Sequence, residues 1–325
     1  MIRLNCEITI GNYRFTYVNR ATINKSYDTF TDTATIVMPN KFKDTNDNML
    51  EIFNEGDAVE IKLGYYPDLI TRFKGYLTKK VPGSPAIFQC EDEAWKLKKK
   101  GLINYSELGI SLNDLIKANY SGTYEVEDVE LGDWQIQKGA TLIDVFEELK
   151  SKYGLFSYFE DEILKIKFKT SIINEITKKL DFQYNIIDGE NLQYIKANEI
   201  DVVSYGVSKQ DDGTLIEAFA YYDENNAAKV QTTNPGGTLN KLDIPGQSQS
   251  NLNKLALRRL PNLYYTGTIG SITIFGKPLF NIGDRAELTD NKYTERNGIF
   301  TVKSIIDDFG INGYRQILEL DQELT

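Results

Sequence analysis

Apolar and polar positions alternate through most of the first hundred residues. "LNCEITIGNYRFTYV" reads as two short strands hinged at Gly11-Asn12, and "TDTATIVMP" as another strand ended by Pro39. After a polar stretch to Asn54, Gly56-Asp57 opens a strand, followed by "TRFKGYLTKKV", a "PGSP" turn at Pro82 to Pro85, and "AIFQCED". Short strands punctuated by Gly and Pro predict a barrel or a sandwich.

The period then changes. "ISLNDLIKAN" offers Ser111 as an N-cap with Asp114 three residues on. "GATLIDVFEELKSKYG" offers Thr141 with Asp144 and puts Leu142, Val145, Phe146, Leu149 and Tyr153 on one face before Gly154. These are amphipathic helices whose apolar stripes face a core. "LFSYF", "EDE" and "ILKIKF" make a hairpin with Phe156, Tyr158 and Ile166 as packing residues. From Leu192 strands return in "LQYIKANEIDVVSYGVS" and "LIEAFAYYDE", and a polar stretch follows that contains "NPGG". A helix is expected at "SNLNKLALRRL", capped by Ser250 and ended by Pro261, before a last β segment with a "DDFGING" turn.

The predicted fold class is therefore mainly β with an α+β insert: two similar β-barrel domains at 1–100 and 191–325 flanking a small α+β module at 101–190. The similarity rests on a repeated phrase. "FNEGDAVEIKLGYY" starts at Phe53 and "FNIGDRAELTDN" at Phe280. In the first passage Gly56-Asp57 opens a strand and Gly75 leads "GYLTKKV". In the second Gly283-Asp284 opens a strand and Gly298 leads "GIFTVKSII", and each passage closes on one more strand. Gly suits a positive-φ or tightly packed entry, and Asp caps the turn through backbone N–H groups. Matched parts in matched order predict an internal duplication of a β-barrel unit.

Composition narrows the chemistry. At 325 residues, 41% apolar and 26% charged, the chain has material for two folded domains and a smaller third. A formal charge of −10 repels a phosphate backbone, so stable nucleic-acid binding is not expected. The basic run Lys96, Lys98, Lys99 and Lys100 follows Glu91, Asp92 and Glu93 and reads as a solvated strand or helix end. Cys6 and Cys90 have neither disulfide-framework nor zinc spacing, which points to a reducing compartment. Neither a signal peptide nor a membrane span is expected.

The sequence contains no histidine. That excludes Ser-His-Asp and Cys-His nucleophiles and the H-E-x-x-H zinc site, and leaves carboxylate pairs or carboxylate-held metals as enzyme chemistry. Acid clusters at Glu91 to Glu93, Glu160 to Glu162, Asp211 with Asp212, and Asp307 with Asp308 read as solvated turns. The stretch from Asp44 through Asn46 and Asn48 to Glu55 approaches a calcium loop. It fails at the sixth position, Met49, where the loop needs Gly, and at Ile52. No catalytic, cofactor or metal residues are predicted.

The order of parts, from "GDAVEIKLGY" and "FKGYL" through "TLIDVFEELKSKYGLFSYFEDEILKIKF" to "GKPLFNIGDRAELTD" and "NGIFTVKSIIDDFGINGYRQILEL", resembles the baseplate hub proteins of contractile-tailed phages. These include the late control protein D family and are similar to the N-terminal part of the valine-glycine repeat protein G of type VI secretion. The resemblance covers nearly the whole chain, through degenerate motifs. It implies a homotrimer with two similar barrels per chain, whose six units join a six-fold tail tube protein to a three-fold spike. It also implies a place in the virion tail baseplate, assembled in the bacterial host cytoplasm. The chain stops after the second barrel, so the spike is expected to be a separate protein, and an acidic channel wall would not hold a polyanion in transit.

Two other classes compete. A carbohydrate-binding or adhesin-like β module would also be rich in aromatics, here 38 in all (16 Phe, 20 Tyr and 2 Trp). It would need exposed rings such as Trp134, Tyr221 and Tyr222, which more often pack in cores and turns. A carboxylate glycosidase of the tail would need two facing acids, which the sequence does not single out.

Overall fold

The computed structural model describes residues 3–39, 49–98, 100–101, 105–136, 139–189, 192–195, 202–225, 227–263 and 267–324. The first barrel is built from β1 (Leu4–Ile10), β2 (Tyr13–Phe15), β3 (Arg20–Ser26), β4 (Thr33–Met38), β5 (Ala58–Tyr65), β6 (Ile70–Val81) and β7 (Ala86–Glu91), with two short helices, α1 (Met49–Ile52) and α2 (Ala94–Lys98). Its strands pair in the order β3-β4-β7-β6-β5-β1-β2. Alternation fixes what faces inward: Ile8 and Ile10, Ile23, Ile36 and Met38, Ile61, and Phe88 are all buried around Phe53.

The central region holds β8 (Tyr105–Ser111), α3 (Leu112–Asn119), β9 (Tyr124–Val126), β10 (Glu130–Ile136), α4 (Leu142–Glu148), β11 (Leu155–Glu160), β12 (Ile163–Phe168) and α5 (Lys169–Ile172). Both expected caps are present. The Ser111 hydroxyl accepts the Asp114 N–H at 3.1 Å, and the Asp144 carboxylate accepts the Thr141 N–H at 2.6 Å. Helix α4 runs on as a π-helical turn through Tyr153 and stops at Gly154 with φ +69°. The predicted stripe from Leu142 to Tyr153 lies in the core of this region.

The remaining strands are β13 (Thr177–Asp181), β14 (Ile186–Asp188), β15 (Gln193–Ile195), β16 (Val202–Lys209), β17 (Leu215–Tyr222), β18 (Ala228–Gln231), β19 (Thr238–Asp243), β20 (Gly267–Ile269), β21 (Ser271–Phe275), β22 (Arg285–Thr289), β23 (Gly298–Gly310) and β24 (Gly313–Glu323), with α6 (Gln249–Leu263) before β20. The expected boundaries at 100/101 and 190/191 follow chain order, and hydrogen bonding does not. Strands β13 and β14, from the stretch assigned to the insert, pair with β22 and β21 of the second barrel. Conversely, β16 to β19 form their own sheet, covered by α6. Leu242, Ile244 and Leu255 of that layer join the core of the central region. Alternation shows that a strand is half-buried, not which sheet it joins.

Two local expectations are corrected. Helix α6 begins at Gln249, with the Ser248 hydroxyl rather than Ser250 accepting the Asn251 N–H at 3.3 Å. It passes through Pro261 to Leu263, the buried Leu260 holding that turn against β17. A proline gives up one backbone bond and crowds the carbonyl four residues back, and here both costs fall on the last turn alone. The "DDFGING" segment is mostly strand. Only Ile311 and Asn312 turn, between Gly310 and Gly313, which face each other across β23 and β24.

The two barrels form one continuous sheet. Strand β23 pairs with β22 and β24 in the second barrel, and its far half, Ser304 to Gly310, pairs with β3 of the first, from Ser26 to Arg20. Phe309 and Tyr314, at the tip of the β23–β24 hairpin, are buried inside the first barrel's core.

Candidate functional site

The repeated phrase adopts the same conformation twice. In the first barrel the Gly56 N–H donates to the Leu77 carbonyl (2.7 Å), the Leu77 N–H to the Asp57 carbonyl (2.9 Å), the Asp57 N–H to the Asn54 carbonyl (3.1 Å), and the Asn54 N–H to Asp57 Oδ2 (2.7 Å). In the second the Gly283 N–H donates to Val302 (2.9 Å), the Val302 N–H to Asp284 (2.9 Å), the Asp284 N–H to Asn281 (3.2 Å), and the Asn281 N–H to Asp284 Oδ2 (2.8 Å). Phe53 and Phe280, just before each turn, are fully buried in their respective cores. Both glycines have positive φ, +93° and +80°, and at Gly283 a Cβ would sit 2.3 Å from the Ile172 carbonyl oxygen.

Gly75 and Gly298 are not equivalent. Leu77 and Val302 are the matching strand positions, so Gly75 lies two residues before its anchor and Gly298 four. Gly75 stands opposite Val59, and Gly298 opposite Leu288 near the start of β23. The stretch from Asp284 to Val302 is two residues shorter than that from Asp57 to Leu77, so the two glycines fall at different places on their strands.

The turns differ in how each is held. Lys80 Nζ donates to the Phe53 carbonyl at 2.7 Å within the first barrel. The Phe280 carbonyl instead accepts from Arg72 Nη2 at 2.9 Å, across from the first barrel. Arg72 is 2% exposed and also donates from Nη1 to Asn281 Oδ1 (2.8 Å) and from Nε to Asp307 Oδ2 (2.8 Å). The other oxygen of the buried Asp307 accepts the Tyr314 hydroxyl (2.8 Å) and Gln316 Nε2 (2.9 Å), and Gln316 Oε1 accepts the Phe280 N–H (2.9 Å). Burial works against the Arg72 charge, but Asp307 and its neighbours outweigh it and hold the guanidinium pKa above its ordinary value. Burial pushes the Tyr314 hydroxyl pKa up, and the Asp307 charge adds to it.

The sequence therefore misread Asp307. Strand alternation turns it inward and Asp308 outward, where Asp308 pairs with Arg20 at 2.7 Å. Asp92 is also buried: its Oδ2 accepts the Asp32 N–H at 3.0 Å, its Oδ1 the Ala94 N–H at 3.0 Å. Desolvation raises the Asp32 pKa to about 6, partly opposed by Lys25. Desolvation and the Asp32 charge raise that of Asp92. Both acids line a cavity of about 260 Å³ that Arg72 and the β11–β12 turn also border. Asp161 with Glu162 and Asp211 with Asp212 lie on exposed turns, and Glu160 is the exposed last residue of β11. Asp44, Asn46, Asn48 and Lys99 lie outside the described residues. Asp284 is fully buried and bonded by Lys178. Burial drives the thiols up, Cys6 to about 11 and Cys90 to about 12, which leaves both protonated and unreactive in the core.

The central region is tied to the seam as well. Lys169 Nζ lies 2.8 Å from Asp321 Oδ2, which also accepts the Tyr27 hydroxyl at 2.7 Å; Tyr27, Phe156, Tyr158 and Ile172 pack together beside it. Of the rings a sugar would need, Trp134 is buried in the central core, and Tyr221 donates to Gln231 at 3.2 Å. Among the described residues no helix is long and apolar enough to cross a membrane.

Two barrels carry the same turn, share strand β23 and flank a composite α/β layer. The chain aligns over 98% of its length with a tail protein from Neisseria meningitidis MC58, covering 96% of that chain, with a TM-score of 0.67 and 15% identity. It aligns equally fully with the 43 kDa tail protein of prophage MuSo2 from Shewanella oneidensis, covering 98% of that chain (TM-score 0.63, 15% identity). The E. coli c3393 protein, a component of the type VI secretion system with structural similarity to the T4 bacteriophage tail proteins gp27 and gp5, matches over 98% of this chain and 77% of its own (TM-score 0.53, 9% identity). No protein-family profile and no curated protein sequence matches the chain. At these identities the likeness is one of fold.

Proposed function

We propose that the chain is a structural, non-enzymatic protein of a phage-type tail, acting as the baseplate hub. A homotrimer would set six near-equivalent barrels around an axis and so match a six-fold tube protein to a separate three-fold spike. The observation that carries this reading is the repeated turn: the same four hydrogen bonds in both barrels, and a buried Phe before each. Similar surfaces on one chain are what a symmetry adaptor needs, and closed cyclic assembly is the common way to use them. The division that fits this role is two fused barrels plus one composite module of residues 101–172 and 202–263. Placement in a virion baseplate, assembled in the host cytoplasm, and a channel wall of like charge to its cargo follow from the same reading.

Light scattering on the purified chain, with negative-stain images of the same sample, tests it. A particle of about 111 kDa, three times the 37.0 kDa chain, with a pseudo-six-fold outline is expected. A stable dimer, or a ring whose two barrels lie at unlike radii, overturns the adaptor.

A further inference from the structure

We infer that the groove between the β8–β10 ribbon and α4 is a docking site for a short, basic segment of a partner protein. The groove encloses about 930 Å³ and is open to solvent along one side. Its walls carry Glu107, Asp133, Asp144, Glu148 and Asp243 against one lysine, Lys152, which Glu148 already engages. An acidic cleft of this kind concentrates cations and repels anionic segments.

A second observation is independent of charge. Trp134 lines the groove, is 4% exposed, and its indole N–H has no acceptor in the structure. A buried donor without a partner carries a desolvation penalty that a peptide carbonyl or hydroxyl would relieve. Tyr153 beside it is already committed, its hydroxyl donating to the Leu131 carbonyl at 2.6 Å. Apolar contact is on offer from the 79% exposed Leu108, over a floor of the buried Ile136, Val145 and Ile244. The occupant that satisfies all three features is a peptide with Lys or Arg flanking an apolar side chain. Its main-chain oxygen would accept the Trp134 indole N–H, and its cations would meet Asp133 and, in competition with Lys241 at 2.9 Å, Asp243. Among the described residues β8 pairs only with β10, so its outer edge can extend the contact through an added strand.

The test uses the full chain and an acetylated hexapeptide of alternating leucine and lysine, against the same peptide with glutamate in place of lysine. The lysine peptide should bind with saturation and shift tryptophan emission, and the glutamate peptide should not bind. Affinity should fall about tenfold or more in the Asp133→Asn, Asp243→Asn double variant and in high salt. Trp134→Phe should abolish the spectral shift and weaken binding. The double variant keeps the test open should Trp134→Phe not fold, because the amide oxygen introduced by Asp133→Asn can still accept the Gly109 N–H that Asp133 Oδ1 accepts now. Equal binding of both peptides, no binding of either, or full affinity in both variants overturns the inference. Binding to monomer that is lost in an oligomer of the chain also overturns it, since the occupant would then be a second copy.

Discussion

At the scale of single residues the decisive contact is Arg72 with Asp307. Both are buried, and each satisfies several partners, so removing one leaves a charge stranded in the seam. Arg72→Met should cost about 3 to 5 kcal/mol in urea unfolding, whereas Arg72→Met combined with Asp307→Leu should recover much of the loss. A single variant that matches the wild type would show the seam to be wet. Asp32 makes a different prediction. Its folded pKa, about 6, lies above the ordinary value of 3.8. Between those values the unfolded chain releases a proton that the folded chain keeps, so this group's contribution is full below about pH 4 and is lost as pH rises through about 6. The stability of the wild type relative to Asp32→Asn should therefore fall over that window. A wild type that gains on the variant as pH rises would reverse the sign of the shift.

At the scale of elements the legibility of the sequence was uneven, for physical reasons. Caps were readable because Ser111 with Asp114, and Thr141 with Asp144, act within one turn. The hairpins at Gly11 and at Asp161 were readable because turn geometry is local, and the repeated turn because its hydrogen bonds recur on the same residue types. Sheet membership was not: β13 pairs in parallel with β22 across more than a hundred residues, and nothing within Thr177–Asp181 names that partner. Asp307 was misread for a related reason. Two adjacent acids look like a turn, but on a strand they point to opposite faces, and only the guanidinium 235 residues away explains the inner one. Of the docking groove, the acids were visible singly but not as one wall, and the orphan Trp134 donor had no signal in the sequence.

At the scale of the whole molecule, the hybrid sheet makes the barrels one cooperative body. The Phe309 and Tyr314 rings sit in the first barrel's core though they belong to the second barrel's hairpin, so neither core can open alone without exposing part of the other. Calorimetry should show a single transition for both barrels, with the Arg72→Met variant lowering its midpoint without splitting it. Two separate transitions would show the barrels to be independent domains that merely touch.

The strand β23 has a mechanical consequence. A force pulling the two barrels apart along β23 loads the hydrogen bonds from Ser304 to Gly310 with β3 in shear, where they must break together instead of peeling one by one. The Arg72 fork crosses the same line as a rivet. In the proposed hub ring such units would pass torque from one layer to the next with little give at the waist of each subunit, and the ring would fail, when it fails, at the contacts between chains.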